Sequence, residues 1–172
     1  MNEELRSFLL GTAVLDVLVV TAALLTLARG AIDRRPALLR PAVRLSLFAL
    51  ASQAAHFAEE LATGLHVRFP ELLGLPAWPL GLFVSFNLLW LAIWGVSIAP
   101  LAAGHRWALF PVWFLALGCA VNGVLHPVAA IVVAGYFPGL VTSPLSGVVG
   151  VLLLRRLRLV TRGSPSAGLP AR

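Results

Sequence analysis

Residues 45–65 read LSLFALASQAAHFAEELATGL. This run is mostly apolar over a length that crosses a hydrocarbon layer of about 30 Å as a helix. Near its end it carries a histidine and two adjacent glutamates, His56, Glu59 and Glu60, although the whole chain has only seven acidic residues. The stretch therefore predicts a membrane-spanning helix that carries a polar site.

The rest of the chain has a similar character. Further apolar runs cover residues 8–28, 80–101, 107–133 and, more briefly, 140–154. Of the 172 residues 59% are hydrophobic and 12% are charged, with a mean hydropathy of +0.92, which excludes an ordinary soluble domain. The first run does not resemble a cleavable signal peptide, because Glu3 and Glu4 precede it and Asp16 lies within it. We predict an all-α polytopic membrane bundle of about five transmembrane helices.

The chain shows no internal repeat and no second domain. We expect residues 1–160 to form a single integral membrane domain, because the loops between the runs are short and punctuated by Gly and Pro. Residues 161–172 are polar and rich in Gly, Pro and Ser, which predicts a disordered cytoplasmic tail. The single cysteine, Cys119, excludes an internal disulfide.

The positive charge indicates orientation. The net charge of +6 comes from arginine alone, and the arginines cluster at the ends of apolar runs, which is typical of a topology signal and not of a nucleic-acid-binding face. With five spans and the N-terminus outside, only Arg6 and Arg68 face outward. The other eleven, on the cytoplasmic side, are Arg29, Arg34, Arg35, Arg40, Arg44, Arg106, Arg155, Arg156, Arg158, Arg162 and Arg172. We predict this orientation, in a membrane such as the bacterial inner membrane.

This topology gives each polar residue a depth. At a rise of 1.5 Å per residue, His56 lies about 13 Å below the outer end of its helix, and Asn122 and His126 lie about 10 to 16 Å below theirs. Asp16 and Asn87 fall at a similar level. We therefore expect a polar pocket in the outer half of the bilayer, built from the second and fourth runs with a contribution from the first.

Helical spacing brings the second run's polar residues together. Glu59 and Glu60 follow His56 at i+3 and i+4, and Gln53 extends the same stripe one turn earlier. The two glutamates diverge by about 100° around the helix. One of them is expected to face the histidine's site, while the other contacts the residues that surround the site or a neighbouring helix.

The fourth run carries a second stripe. Asn122 and His126 are related by i, i+4, and Gly123 allows another helix to approach closely. Pro127 leaves the carbonyl of Gly123 without its usual donor, which favours a polar cavity near His126.

Imidazoles and carboxylates from facing helices suit a metal ion such as Zn, Fe or Mn. We predict that His56, His126 and one glutamate, taken as Glu60, bind the ion. The other glutamate would then be a general base or activate a water on the metal. A metal-free site is the alternative, with one glutamate titrating near neutrality. The purely structural alternatives are a His56–Glu60 ion pair at the helix surface and hydrogen bonding between helices through Asn122 and His126.

Three motifs carry a resemblance. HFAEE at residues 56–60, NGVLH at 122–126 and YFPG at 136–139 match the HxxEE, NxxxH and YxPG motifs of the HXXEE family of uncharacterised integral membrane proteins, which this chain resembles from the second run to the start of the fifth. The resemblance implies a membrane enzyme but supplies no substrate. The site residues it implies are His56, Glu59, Glu60, Asn122, His126, Tyr136, Pro138 and Gly139.

The YFPG motif follows the fourth run. Pro138 and Gly139 predict a tight turn with proline at i+1 and glycine at i+2, in type II geometry. We expect the Tyr136 hydroxyl to cap the cavity. Asn122 and Tyr136 would orient substrate or stabilise developing negative charge, which adds them to Glu59 and Glu60 as candidate catalytic residues.

The sequence thus predicts a small, metal-dependent membrane enzyme that acts on a lipid-like or other apolar substrate from the bilayer. Membrane lipid is the expected partner, and nucleic acid is not. A proton- or ion-coupled carrier that uses the His/Glu cluster as a relay is a second hypothesis, although a chain without a repeat is poorly suited to alternating access. A metal-free acid–base isomerase and a purely structural membrane subunit are the remaining alternatives.

Overall fold

The computed structural model describes residues 3–162, and the structure is 81% helical. The helices are α1 Glu3–Gly11, α2 Ala13–Ala28, α3 Pro36–Ala62, α4 Leu65–Leu72, α5 Leu80–Ala102, α6 Leu109–Val132 and α7 Ser143–Val160. A 3-10 turn, Arg106–Ala108, precedes α6, and the short strands β1 Ala31–Ile32 and β2 Thr161–Arg162 pair antiparallel. The predicted all-α fold is confirmed.

Fewer helices than the five predicted spans pass a test of length and hydropathy for crossing a membrane. Two segments, α5 and the continuous stretch Arg106–Val132, are long and apolar enough to cross a membrane. A third span exists if α1 and α2, which meet at an angle of 48°, count as one. Both α3, with 27 residues, and α7, with 18, are long enough but carry more polar and charged residues. Integral membrane character is therefore supported, and the count of five spans is not confirmed.

Several helix ends meet at one end of the bundle. The Arg29 guanidinium, at the end of α2, donates to the carbonyl oxygens of Arg158 and Thr161 at 2.7 and 2.9 Å, at the end of α7. Arg34, just before α3, reaches the carbonyl of Gly104, just after α5, at 3.4 Å. These contacts place residues 29–35, 104–106 and 158–162 together at one end of the bundle, here called the arginine end.

The interior has two hydrophobic clusters. The larger one surrounds α6, where Leu109, Trp113 and Leu115 are almost completely buried. The smaller one is aromatic and lies toward the opposite end; it contains Phe8, Phe57, Leu65, Trp78, Phe83 and Phe137. Outward faces carry exposed Leu, Val and Ile side chains, among them Val124, Val128 and Ile131 on α6, as expected of helices in contact with lipid.

Helices α6 and α7 cross at backbone contact. A Cβ atom added to Gly123 would lie 2.5 Å from the Cα atom of Gly147, so both positions require glycine. The predicted close approach at Gly123 is thus confirmed, with α7 as the partner. Pro127 does not end α6, which continues to Val132. The crossing fixes the start of α7 beside the C-terminal half of α6.

The two-stranded sheet includes the first two residues of the predicted tail. Thr161 and Arg162 pair with Ile32 and Ala31 in this sheet. The remainder of the predicted tail, residues 163–172, lies outside the described residues.

Candidate metal centre

The polar stripes of α3 and α6 face each other in register. Both helices start at the arginine end and run side by side away from it. The Asn122 side-chain amide donates to Gln53 Oε1 at 3.3 Å, and one turn further on His126 Nε2 lies 3.1 Å from His56 Nε2. The prediction that the two stripes share a level is confirmed.

Glu60 completes a compact group with the two histidines. Its Oε1 atom lies 3.2 Å from His56 Nε2 and 3.3 Å from His126 Nε2. His56 is fully buried, and the exposed fractions of Glu60 and His126 are 6% and 7%. Glu60 is therefore the glutamate that faces the site, and these three residues could hold a metal ion.

The hydrogen bonds of the histidine Nδ1 atoms indicate the tautomers. His126 Nδ1 lies 2.5 Å from the carbonyl oxygen of Pro138, which can only accept, so Nδ1 carries the hydrogen. His56 Nδ1 lies 2.7 Å from Thr142 Oγ1. That hydroxyl donates its own hydrogen to Glu59 Oε2 at 2.6 Å and must accept from His56. Each neutral imidazole therefore points a bare Nε2 lone pair into the site.

When both imidazoles are neutral and Glu60 is ionised, three acceptor atoms thus meet with no hydrogen between them. Acceptors at 3.1 to 3.3 Å repel one another unless a cation or a proton lies among them. Ligand atoms about 2.0 to 2.1 Å from a tetrahedral ion stand about 3.3 to 3.4 Å apart, close to the separations seen here. Two imidazoles and one carboxylate match the ligands that Zn, Fe and Mn accept.

Glu59 faces away from this group. Its Oε1 atom accepts from the Tyr136 hydroxyl at 2.7 Å and the Val141 amide at 2.9 Å. Its Oε2 atom accepts from the amide and the hydroxyl of Thr142 at 2.8 and 2.6 Å. With four donors already bound, the carboxylate holds the loop between α6 and α7, and this geometry favours a positioning role over the predicted role as a base.

The YFPG segment forms the predicted turn. The Leu140 amide donates to the Phe137 carbonyl at 3.1 Å, and Gly139 has φ +86°, as the i+2 position of a type II turn requires. A Cβ atom on Gly139 would lie 2.5 Å from His126 Nδ1 and 2.8 Å from His56 Cε1. The turn therefore packs directly against both imidazole rings.

Some predicted residues lie apart from the three ligands. The Tyr136 hydroxyl binds Glu59, and both burial and that hydrogen bond raise the pKa of the phenol. Asn122 binds Gln53 one turn toward the arginine end. Asp16 is exposed on α2, and Asn87 donates to the Phe83 carbonyl of its own helix at 2.9 Å. The first run thus contributes none of these predicted polar residues to the group.

Thr142 was missed from the sequence. It immediately precedes the Ser143–Pro144 start of α7, a position where threonine commonly caps a helix. Here its side chain makes no cap hydrogen bond and links Glu59 to His56 instead. No spacing pattern in the chain distinguishes these two uses of the hydroxyl.

Comparisons with known proteins add no assignment. No protein-family model, no curated protein and no solved structure matches this chain. The functional interpretation therefore depends on the geometry of His56, Glu60 and His126 and of the loop around them.

Proposed function

We propose that this protein is a small integral membrane enzyme that binds one divalent metal ion through His56, Glu60 and His126. The observation that carries the proposal is the convergence of three buried acceptor atoms, with both Nδ1 hydrogens engaged elsewhere. Metal-binding histidines usually donate their second ring N–H to a carbonyl or a carboxylate. Pro138 serves His126 in this way, and Glu59 serves His56 through Thr142.

The ligand set suits catalysis. Three protein ligands leave a coordination position open, as in catalytic zinc sites. One carboxylate and two neutral imidazoles supply a single negative charge, so a divalent ion keeps net positive charge for a substrate oxygen. Such an ion would polarise a carbonyl or phosphoryl group, or would lower the pKa of a water. Glu60 and the histidines would hold the ion, and Glu59 would keep His56 in the productive tautomer.

The substrate we propose is lipid-like. The outward face of α6 near the site is apolar, with Val124, Val128 and Ile131 exposed. Phe137 contacts the His126 ring at 6.1 Å between centroids and belongs to the aromatic cluster. An apolar molecule can reach such a site from the bilayer, while the aromatic side chains limit access by water.

The orientation we propose puts the arginine end in the cytoplasm of a bacterial cell. His56 and His126 each lie about 9 Å from the C-terminal end of their helices, at the end of the bundle opposite the arginines. By the positive-inside rule the metal centre then lies in the outer half of the bilayer.

The resemblance to the HXXEE family points the same way. Residues of all three of its motifs meet around one centre: the ligand atoms of His56, Glu60 and His126 lie within 3.3 Å of one another, Gly139 packs against both imidazole rings, and Tyr136 binds Glu59. We propose membership of that family on this ground.

A lipid-turnover experiment tests the proposal. The full-length protein is reconstituted in liposomes of a total lipid extract with Zn²⁺, Mn²⁺ or Fe²⁺, and lipids are followed by mass spectrometry. We expect one lipid class to be converted by the parent and by Glu71→Gln, a matched change at an exposed glutamate, but not by Glu60→Gln. Identical lipid profiles for the parent and Glu60→Gln would contradict it.

The 3.1 Å separation of the two Nε2 atoms also favours a metal-free candidate, acid–base catalysis, because it is a hydrogen-bond distance. A proton on the Nε2 atom of either imidazole would relieve the repulsion between the two nitrogen atoms. The Glu60 carboxylate, which lies within 3.3 Å of both nitrogens, would then accept that proton. Activity that survives removal of metal by a chelator would favour this candidate over the metal enzyme.

A further inference from the structure

A second site candidate lies at the arginine end of α3, away from the metal centre. A groove of about 400 Å³ is lined by Arg34, Arg40 and Arg44 together with apolar Leu39, Val43 and Ala102. A neighbouring groove of about 290 Å³ shares Arg40 and Arg44. Arg44 precedes His56 by twelve residues, or roughly 18 Å along the helix, so the two sites are distinct.

Among the described residues, two of the three arginines in this groove, Arg40 and Arg44, lack the partners that Arg29 and Arg35 have. Arg29 binds the last carbonyls of α7, and Arg35 pairs with Asp33 at 2.7 Å. Arg40 and Arg44 are exposed, and within residues 3–162 neither contacts a carboxylate. They stand at i, i+4 on one face of α3, where like charges disfavour the helix unless an anion lies between them.

The walls of the groove indicate where that anion comes from. Ala102 is the last residue of α5, a helix long and apolar enough to span the membrane, so the groove lies at the level of lipid headgroups. Leu39 and Val43 offer an apolar wall beside the guanidinium groups. A free anion would use the arginines alone, whereas a lipid uses both surfaces.

We propose that this groove binds an anionic phospholipid, with its phosphate held by Arg40 and Arg44 and an acyl chain along the apolar wall. Guanidinium groups bind phosphate oxygens in bidentate geometry, and basic pockets beside transmembrane helices bind anionic headgroups. Each arginine near an anionic lipid surface strengthens binding by about fivefold. Loss of both should therefore weaken binding roughly 30-fold.

Native mass spectrometry of the full-length protein in detergent tests the proposal. Phosphatidylglycerol and phosphatidylcholine of equal chain length are titrated against the parent, Arg40→Gln/Arg44→Gln, and the control Arg155→Gln/Arg156→Gln, which lies outside the groove. We expect phosphatidylglycerol to bind the parent and the control at least tenfold more tightly than phosphatidylcholine, and this preference to disappear in the groove variant. Circular dichroism confirms that each variant is folded.

Three results would overturn the proposal. The groove variant could retain the parent's affinity for phosphatidylglycerol. The control variant could lose as much affinity as the groove variant, which would indicate unspecific charge. Inorganic phosphate at equal concentration could displace phosphatidylglycerol completely, which would identify a soluble anion as the ligand.

Discussion

The Nε2 atoms of His56 and His126 lie 3.1 Å apart, and neither carries a hydrogen when both imidazoles are neutral. The opposite nitrogen of each ring is held by the loop between α6 and α7, through Thr142 and Pro138. That loop therefore decides which nitrogens face the site, although only the helices supply the ligand atoms. Four predictions concern this loop and the helix packing that holds it.

Thr142→Val should weaken metal binding without removing a ligand. The substitution preserves shape but removes the hydroxyl that accepts from His56 and donates to Glu59, and loss of such supporting partners typically costs 10- to 100-fold in metal affinity. Thr142→Ser restores the hydroxyl and should bind nearly as the parent does. Competition with a chromophoric chelator measures the three affinities, and equal values for the valine variant and the parent would contradict the predicted role.

Gly139→Ala should both destabilise the fold and weaken metal binding. Its φ of +86° strains any residue with a side chain, by roughly 1 to 3 kcal/mol, and the new Cβ atom would meet both imidazole rings. Gly135→Ala is the matched control in the same loop, because its Cβ atom would come no closer than 3.8 Å to an atom beyond its chain neighbours, the carbonyl oxygen of Val133. Thermal unfolding in detergent compares them, and similar melting temperatures for the two variants would show that the turn is not tightly packed.

Gly147→Ala should separate α6 from α7. The added Cβ atom would lie 2.7 Å from the Cα atom of Gly123, so backbone has to move, at a cost of roughly 1 to 3 kcal/mol. Gly118→Ala on α6 meets nothing within 4 Å and should be neutral or stabilising, by up to about 1 kcal/mol. Melting temperatures in the reverse order would contradict the crossing described here.

Tyr136 should titrate above its ordinary pKa of 10.0, because burial and the hydrogen bond to Glu59 both favour the neutral phenol. A raised pKa in the folded state means that the contribution to stability is present below about pH 10 and is lost as the pH rises through the folded-state value. Since Tyr136 is the chain's single tyrosine, near-ultraviolet phenolate absorbance reports it alone. We expect the midpoint to fall in Glu59→Gln; an unchanged midpoint would show that the hydrogen bond does not form in solution.

Much of the centre was predictable because helices impose fixed spacing. The i, i+4 relation put Glu60 on the face of His56, and the common level of the two polar stripes brought His126 opposite. The divergence of adjacent glutamates separated Glu59 from the site, but spacing alone could not decide which of the two faced inward. Thr142 could not be predicted, because a hydroxyl before a helix has no periodic signature. The span count exceeded what the structure supports, because α3 and α7 carry too many polar residues for hydropathy to decide.

Metal analysis of the purified protein tests the central claim most directly. The full-length protein is loaded with Zn²⁺, Mn²⁺ or Fe²⁺, passed over a desalting column, and analysed by inductively coupled plasma mass spectrometry beside His126→Ala, Glu60→Gln and the exposed control His105→Ala. We expect one ion per chain in the parent and in His105→Ala, and little or none in the two site variants. A folded parent that retains no ion from any of the three metals would contradict the metal centre.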